Sequence, residues 1–121
     1  MEWAILFIVF DLLAICFLLS RTDHVPATTA AKHLRNGALI IDVRTPPEFA
    51  ASHLPNAVNI PVTGIPELVP VRLKDRNRVL LLHGLTGVRS ALAMKILHDL
   101  GYANAFNLGS YQRAAHIASG R

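Results

Sequence analysis

Hydrophobic and polar positions divide this chain into a continuous apolar stretch at the N-terminus and a longer part in which short apolar runs alternate with amphipathic segments. Residues 3–19 are apolar except for Asp11. Further along, residues 79–82 have the length of a buried strand, and the pattern from Ser90 onward has the spacing of an amphipathic helix. Strands that alternate with helices predict an α/β fold, in which helices cover both faces of a mainly parallel sheet of about five short strands.

Turn and cap signals place the remaining elements. Thr28 and Thr29 offer an N-cap for a helix that ends at Gly37. Thr45 and Glu48 have the spacing of a capping box with prolines in the first turn. We also expect strands at 38–42 and 58–60 and a proline-interrupted helical stretch at 65–73. The helix after Ser90 is expected to pack on the core through Leu92, Ala93, Ile96, Leu97 and Leu100.

The apolar N-terminal stretch predicts a membrane anchor. At about 1.5 Å per residue a helix over residues 3–19 reaches roughly 26 Å, near the short end of what spans the hydrocarbon core of a bilayer. A cleaved signal peptide is the alternative, but no positive n-region precedes the stretch and no small-x-small site follows it. We therefore expect a transmembrane anchor at 1–20, a tether at 21–27 and one domain at 28–121.

Charge is distributed unevenly about this anchor. All twelve Lys and Arg residues follow Ser20, together with six of the eight acidic residues. By the positive-inside rule this predicts a single-pass protein with a cytoplasmic domain, and a periplasmic or extracellular domain is the alternative. The membrane, through residues 3–20, is thus an expected partner. The basic residues are dispersed and accompany no recognition motif, so we expect no nucleic-acid partner.

Residues 78–101 carry the pattern most informative about function. Between the strand and the helix lies a six-residue loop: Gly84, Leu85, Thr86, Gly87, Val88 and Arg89. Backbone N–H groups at the start of a helix lack intrahelical partners, and the helix dipole adds positive potential there. The pattern therefore predicts an anion-binding loop.

This loop resembles the active-site segment of the rhodanese (sulfurtransferase) family. Active members carry Cys-x-x-Gly-x-Arg-Ser, in which the cysteine takes up a sulfane sulfur as a persulfide. Gly87, Arg89 and Ser90 match that pattern, and Gly84 stands at the position of the cysteine. The resemblance implies a rhodanese-like domain that keeps the anion cradle and lacks the nucleophile.

Two further segments are similar to the same family. The Asp-Val-Arg at 42–44 precedes the Glu-Phe at 48–49, and residues 53–61 match a His-Ile-Pro-Gly-Ala-x-Asn-Ile-Pro signature with Asn56 where glycine is usual. Asparagine also tolerates the left-handed backbone region, so this departure is mild. The third match, at 100–109, is the family's last helix-to-strand turn.

Each supporting residue of the candidate site has a structural interpretation beside its functional one. Arg89 either favours an anion or caps the helix or pairs with Asp42. Asp42 and Arg44 follow a strand, where ligands bind in open α/β sheets, and an ion pair between them is the alternative. Glu48 is expected to serve its capping box. We interpret His53 as a structural hydrogen-bonding residue rather than a ligand.

No other side chain of the loop replaces the missing cysteine. The only thiol is Cys16, inside the apolar stretch. The hydroxyls of Thr86 and Ser90 cannot carry a stable sulfane sulfur, and no His–Asp arrangement is evident to activate them. The six histidines, including His83, which we also interpret as structural, have no second type of metal ligand at close spacing. We therefore expect no metal site and no cofactor.

Three functions remain. We favour a catalytically silent, membrane-anchored rhodanese-like domain, a pseudoenzyme that binds a partner protein or a small sulfur-containing anion. A working thiosulfate sulfurtransferase is the alternative that the resemblance implies and that Gly84 opposes. The third function is a membrane-surface assembly module, since anionic lipid attracts nearby basic residues by about 1 kcal/mol each.

Overall fold

Short strands alternate with helices along the chain, as the hydrophobic pattern predicts. The computed structural model describes residues 2–22 and 24–120, with side chains at 2–17 and 24–120. Its strands are β1 (Leu39–Asp42), β2 (Val58–Asn59), β3 (Leu80–His83) and β4 (Ala105–Gly109). Its helices are α1 (Glu2–Thr22), α2 (Ala27–Arg35), α3 (Pro46–Ala51), a 3₁₀ turn (Val62–Gly64), α4 (Ile65–Arg72), α5 (Val88–Asp99) and α6 (Tyr111–Ala118).

The described strands form one parallel sheet in the order β2-β1-β3-β4, so the expectation of about five strands is wrong by one. At the β4 edge, His24 makes a single parallel bridge to Asn107, and the Val25 N–H donates to the Asn107 carbonyl at 2.9 Å. Pro26 follows and has no N–H with which to continue a ladder. Residues 24 and 25, expected to belong to a tether, are therefore held on the sheet edge.

Helices cover both faces of the sheet, which confirms the predicted α/β architecture. Side chains alternate along a strand, so Leu80 and Leu82 pack on the side of α4 and α5 while Leu81 packs on the side of α2 and α6. Ile41 and Ile40 of β1 repeat this alternation. Strands that are buried on both faces need continuous apolar runs, which is the pattern seen in the sequence.

Helix α2 begins two or three residues earlier than expected. It starts at Ala27 with Pro26 as the N-cap, rather than with Thr28 or Thr29 in that position. The ring of Pro26 holds φ at −57°, and the loss of its N–H removes no helical hydrogen bond at this position. The helix gives way to Gly37 as expected, with φ at 89° there.

The core face of α5 is rotated from the expected one. Its buried residues are Ser90, Ala93 and Leu97, whereas Leu92 is 53% exposed. The expectation that Leu92 packs in the core is therefore wrong. Small side chains at positions 90 and 93 allow the helix to lie close to the sheet, and hydropathy alone does not reveal this preference.

Helix α1 lies beside α5 and exposes most of its apolar side chains. The exposed fractions of its large apolar residues range from 48% at Val9 to 75% at Trp3. Across residues 2–22 and 24–120, no helix combines the length and the apolar character needed to cross a membrane. The predicted anchor at 1–20 includes Met1 and the side chains of residues 18–20, which lie outside the described part of the chain.

Candidate functional site

The loop that joins β3 to α5 lies at the carboxyl edge of the sheet. It runs from Gly84 to Gly87, and backbone hydrogen bonds attach it to the junction between β4 and α6. The Gly84 N–H donates to the Gly109 carbonyl, and the Tyr111 N–H donates to the Leu85 carbonyl, each at 3.2 Å. This is the edge at which open α/β sheets bind ligands.

Two buried polar side chains hold the end of this loop. The Asn107 amide nitrogen donates to the Gly87 carbonyl at 3.3 Å, and its Oδ1 accepts the Gly109 N–H at 2.8 Å. The Ser90 hydroxyl donates to the same Gly87 carbonyl at 3.1 Å. Sequence reasoning placed Ser90 at the site but missed Asn107. The available signal was a polar residue inside the otherwise apolar strand β4.

Gly87 and Gly109 are required by the backbone at this junction. Their φ angles are 98° and 91°, in the left-handed region that favours glycine. A Cβ on Gly87 would lie 3.2 Å from the Gly109 Cα, and a Cβ on Gly109 would lie 2.8 Å from the His24 ring. The absence of these two side chains lets the loop, β4 and His24 approach one another closely.

Gly84 is different, because its backbone lies outside that region and has room for a side chain. A Cβ at this position would be 3.6 Å from the Arg89 Cβ and from the Ser90 nitrogen, and 3.8 Å from the Ser90 Oγ. These are ordinary van der Waals separations. The fold therefore does not require glycine here, and a side chain would lie against the first turn of α5.

Arg89 forms a two-pronged ion pair with Glu48. Its Nη1 donates to Oε1 at 2.8 Å, and its Nη2 donates to Oε2 at 3.0 Å. The same carboxylate completes the predicted capping box, because Oε1 also accepts the Thr45 N–H at 3.0 Å. The hydrogen bonds from Arg89, followed by those from Thr45, lower the pKa of Glu48 to about 2. The positive charge of Arg89 is thus compensated by Glu48, and not by Asp42 as one interpretation of the sequence had it.

Asp42 and Arg44 form the ion pair that the sequence permits. The Asp42 carboxylate is fully buried and accepts hydrogen bonds from Arg44 Nη2 at 2.7 Å, from Nε at 3.0 Å and from the backbone N–H at 3.0 Å. Arg44 also donates to the Ser52 carbonyl at 2.7 Å. Its guanidinium lies over the Tyr111 ring, 4.5 Å from the ring centroid. This pair therefore joins the end of β1 to α3 and α6.

Comparison with known proteins identifies the family of this chain. The sequence model of the rhodanese-like domain matches residues 26–115. The chain belongs to this family. Thiosulfate sulfurtransferase PspE of Escherichia coli is 31% identical to it over 75 residues, which are 62% of this chain and 72% of that protein.

Solved structures of rhodanese-like proteins share the fold. A rhodanese with anions from E. coli has a TM-score of 0.61 and 28% identity, over 64% of this chain and 91% of its own. The human single-domain sulfurtransferase TSTD1 has a TM-score of 0.66 and 26% identity, over 78% of this chain and 96% of its own. The similarity therefore covers nearly all of each of these two structures.

Two histidines of this rhodanese-like domain place a ring nitrogen beside a backbone carbonyl of the same domain. His83 is fully buried before the loop, with Nδ1 3.1 Å from the Gly84 carbonyl and Nε2 3.6 Å from Asp42 Oδ2. Burial lowers the pKa of His83 and so favours its neutral form. His53 places Nδ1 2.8 Å from the Phe49 carbonyl and stacks on the Phe49 ring. These contacts are structural in kind.

The rim of the rhodanese-like loop is largely apolar. Leu85 is 53% exposed and Val88 is 40% exposed, beside the exposed Thr86. Gly87 provides no side-chain cap for α5, so the first N–H groups of the helix are donors for a ligand or for water. The cysteine of the chain, Cys16, is on α1 and outside this loop. The loop therefore provides backbone N–H donors beside exposed apolar side chains, and it carries no thiol.

Proposed function

We propose that this chain is a membrane-anchored rhodanese-like domain that lacks sulfurtransferase activity and binds a partner protein or a small sulfur-containing anion at its loop. The observation that carries the proposal is at Gly84. The residue at the position of the family's cysteine has no thiol, although the backbone there has room for a side chain.

Sulfur transfer needs a group that accepts and then releases a sulfane sulfur. A thiolate attacks the outer sulfur of thiosulfate, the sulfur–sulfur bond breaks, and sulfite leaves while a persulfide remains on the protein. An acceptor such as cyanide then takes the outer sulfur and regenerates the thiolate. The hydroxyls of Thr86 and Ser90 form no comparable persulfide, and that of Ser90 is buried and donates to the Gly87 carbonyl.

The binding role rests on what the loop still offers. Backbone N–H groups at the start of α5 are donors to an anion or to a carbonyl or carboxylate oxygen of a partner protein. The ion pair with Glu48 compensates the charge of Arg89, so an anion gains less from this residue than from a free guanidinium. The apolar side chains of Leu85 and Val88 favour a ligand with an apolar part.

The proposed anchor comprises residues 3–20. It is supported by the apolar sequence of this stretch, with Asp11 as its one charged residue, and by the exposed apolar side chains of α1. The positive residues that follow it favour a cytoplasmic domain.

The test is a thiosulfate:cyanide sulfurtransferase assay on the full chain in detergent. A Cys16→Ser background removes the natural thiol, and Gly84→Cys is measured beside Gly84→Ala, which adds the same Cβ without sulfur. We expect thiocyanate from Gly84→Cys and none from the unaltered chain or from Gly84→Ala. Binding of thiosulfate to the unaltered chain is followed by calorimetry.

A sulfurtransferase is the second candidate, favoured by the similarity to PspE. Thiocyanate formation by the unaltered chain, abolished by Cys16→Ser, would support it and overturn the proposed silence. If Gly84→Cys folds but produces no thiocyanate, the loop has lost more than its nucleophile, and binding of a partner protein becomes the preferred role.

A further inference from the structure

The end of α1 lies directly beside the candidate loop. His24 bridges Asn107 of β4, and its ring lies 3.2 Å from the position of a Cβ on Gly87. The last residue of α1, Thr22, precedes His24 by two positions. Two residues extend the chain by at most about 7 Å. Helix α1 therefore leaves the domain at the edge of the loop.

The surface of the loop beside this exit is apolar. Val88 and Leu92 are one helical turn apart on the same face of α5, and they are 40% and 53% exposed. Leu85, in the loop itself, is 53% exposed. Lys95, three residues beyond Leu92, is exposed on this side of the helix. Apolar residues followed by a lysine are suited to the boundary between lipid and water, where the lysine amine extends to the polar side.

Helix α1 does not cover its own apolar surface. Although it lies beside α5, its large apolar residues remain about half to three-quarters exposed, as at Val9 and Trp3. The apolar surface of α1 and the apolar surface of the loop are thus adjacent, and both are stabilised by an apolar environment. A bilayer that contains α1 would therefore also contact the apolar surface of the loop.

We propose that the rim formed by Leu85, Val88 and Leu92 rests on the membrane, in the interfacial layer of the bilayer that holds α1. A ligand then reaches the loop along the membrane surface, and a molecule with both a polar acceptor group and an apolar part is favoured. This inference rests on the anchor in the proposed function, because the short connection from α1 brings the loop to the bilayer.

The experiment measures depth in the bilayer at single sites. The full chain is reconstituted in phospholipid vesicles in the Cys16→Ser background, with one nitroxide-labelled cysteine at a time. Leu92→Cys reports on the rim, Phe10→Cys on α1, and Arg35→Cys on the exposed surface of α2 at the opposite face of the sheet. Relaxation by oxygen, which concentrates in lipid, is compared with relaxation by a water-soluble nickel chelate.

We expect the labels at positions 10 and 92 to be relaxed mainly by oxygen. The ratio of oxygen to nickel relaxation should be larger at position 10, which lies deeper in the bilayer. The label at position 35 should be relaxed mainly by the nickel chelate. A lipid-like value at position 10 with a water-like value at position 92 would overturn the inference and leave the anchor intact. A water-like value at position 10 would overturn the anchor, and the inference with it. Circular dichroism of each labelled chain establishes that it is folded.

Discussion

Replacing Asp42 with asparagine is expected to destabilise the domain more than any other single change of charge near the loop. The carboxylate is fully buried and accepts four hydrogen bonds from Arg44, at 2.7, 3.0, 3.0 and 3.1 Å. An arginine guanidinium stays protonated in proteins, so Arg44 keeps its charge in Asp42→Asn even though that variant removes the carboxylate that raises the pKa of Arg44. The variant therefore leaves a buried cation, 5% exposed, without its counter-ion.

The magnitude follows from what remains after the substitution. Breaking a buried ion pair by removal of one partner costs about 3–5 kcal/mol. Asparagine retains one acceptor oxygen, and the contact with the Ser52 carbonyl persists, so we expect a value near the lower end, about 3 kcal/mol. In a domain of this size, each 1 kcal/mol lowers the melting temperature by roughly 4–8 °C, so the expected fall is about 12–24 °C.

Urea denaturation of the full chain in detergent, followed by circular dichroism, provides the measurement. Asp99→Asn is the matched control, because Asp99 is exposed on α5 and its neutralisation should change the free energy of unfolding by about 0.5 kcal/mol or less. The double variant Asp42→Leu with Arg44→Met removes both charges, and we expect it to be more stable than Asp42→Asn. A loss below about 1 kcal/mol for Asp42→Asn would refute the reasoning that the pair is buried and coupled.

Further predictions concern Glu48, two glycines with positive φ and the buried face of α5. The pKa of Glu48 is about 2 against an ordinary 4.5. The contribution of its carboxylate to stability is therefore present above pH 4.5 and is lost as the pH falls toward 2. In Glu48→Gln, the free energy of unfolding should depend less on pH between about 4.5 and 2. Gly37→Ala should lower the free energy of unfolding by about 1 kcal/mol, because φ is 89° there and a Cβ would enter open space. Gly109→Ala should lower it by about 1–3 kcal/mol more than Gly37→Ala in the same urea assay, because its Cβ would lie 2.8 Å from the His24 ring. Leu97→Ala should lower the free energy of unfolding by about 2–5 kcal/mol, and Leu92→Ala should lower it by at most about 0.5 kcal/mol. Equal losses in the two variants would contradict the conclusion that Leu97 lies on the buried face of α5 and Leu92 on the exposed one.

Local signals in the sequence predicted those features that a few neighbouring residues determine. The capping box of Thr45 and Glu48 forms as expected, because both partners lie in the same turn. Asn56 takes the left-handed conformation, with φ at 64°, as its tolerance of that region allows. The apolar run before the loop became a strand buried on both faces. In each case the deciding interaction is local, or requires only that the residue be apolar.

Features that depend on long-range contacts were not predicted. Leu92 is as hydrophobic as Leu97, and only the packing of α5 on the sheet decides which of them is buried. Glu48 is 41 positions from Arg89, and the sequence offered Asp42, not Glu48, as one possible partner of Arg89. His24 reaches the sheet edge through a bridge to Asn107, which spacing along the chain does not reveal. The order of the strands in the folded sheet brings these residues together.

The contacts that fix the loop explain how its shape persists without a thiol. Asn107 and Ser90 bind the Gly87 carbonyl, and the Gly84 N–H binds the Gly109 carbonyl. None of these bonds uses a side chain at position 84. Exchange between glycine and cysteine there is therefore expected to change chemistry far more than stability. Activity in Gly84→Cys, which adds only a Cβ and a sulfur, together with inactivity in Gly84→Ala, would therefore support the proposal that the loop keeps its binding geometry and lacks only the nucleophile.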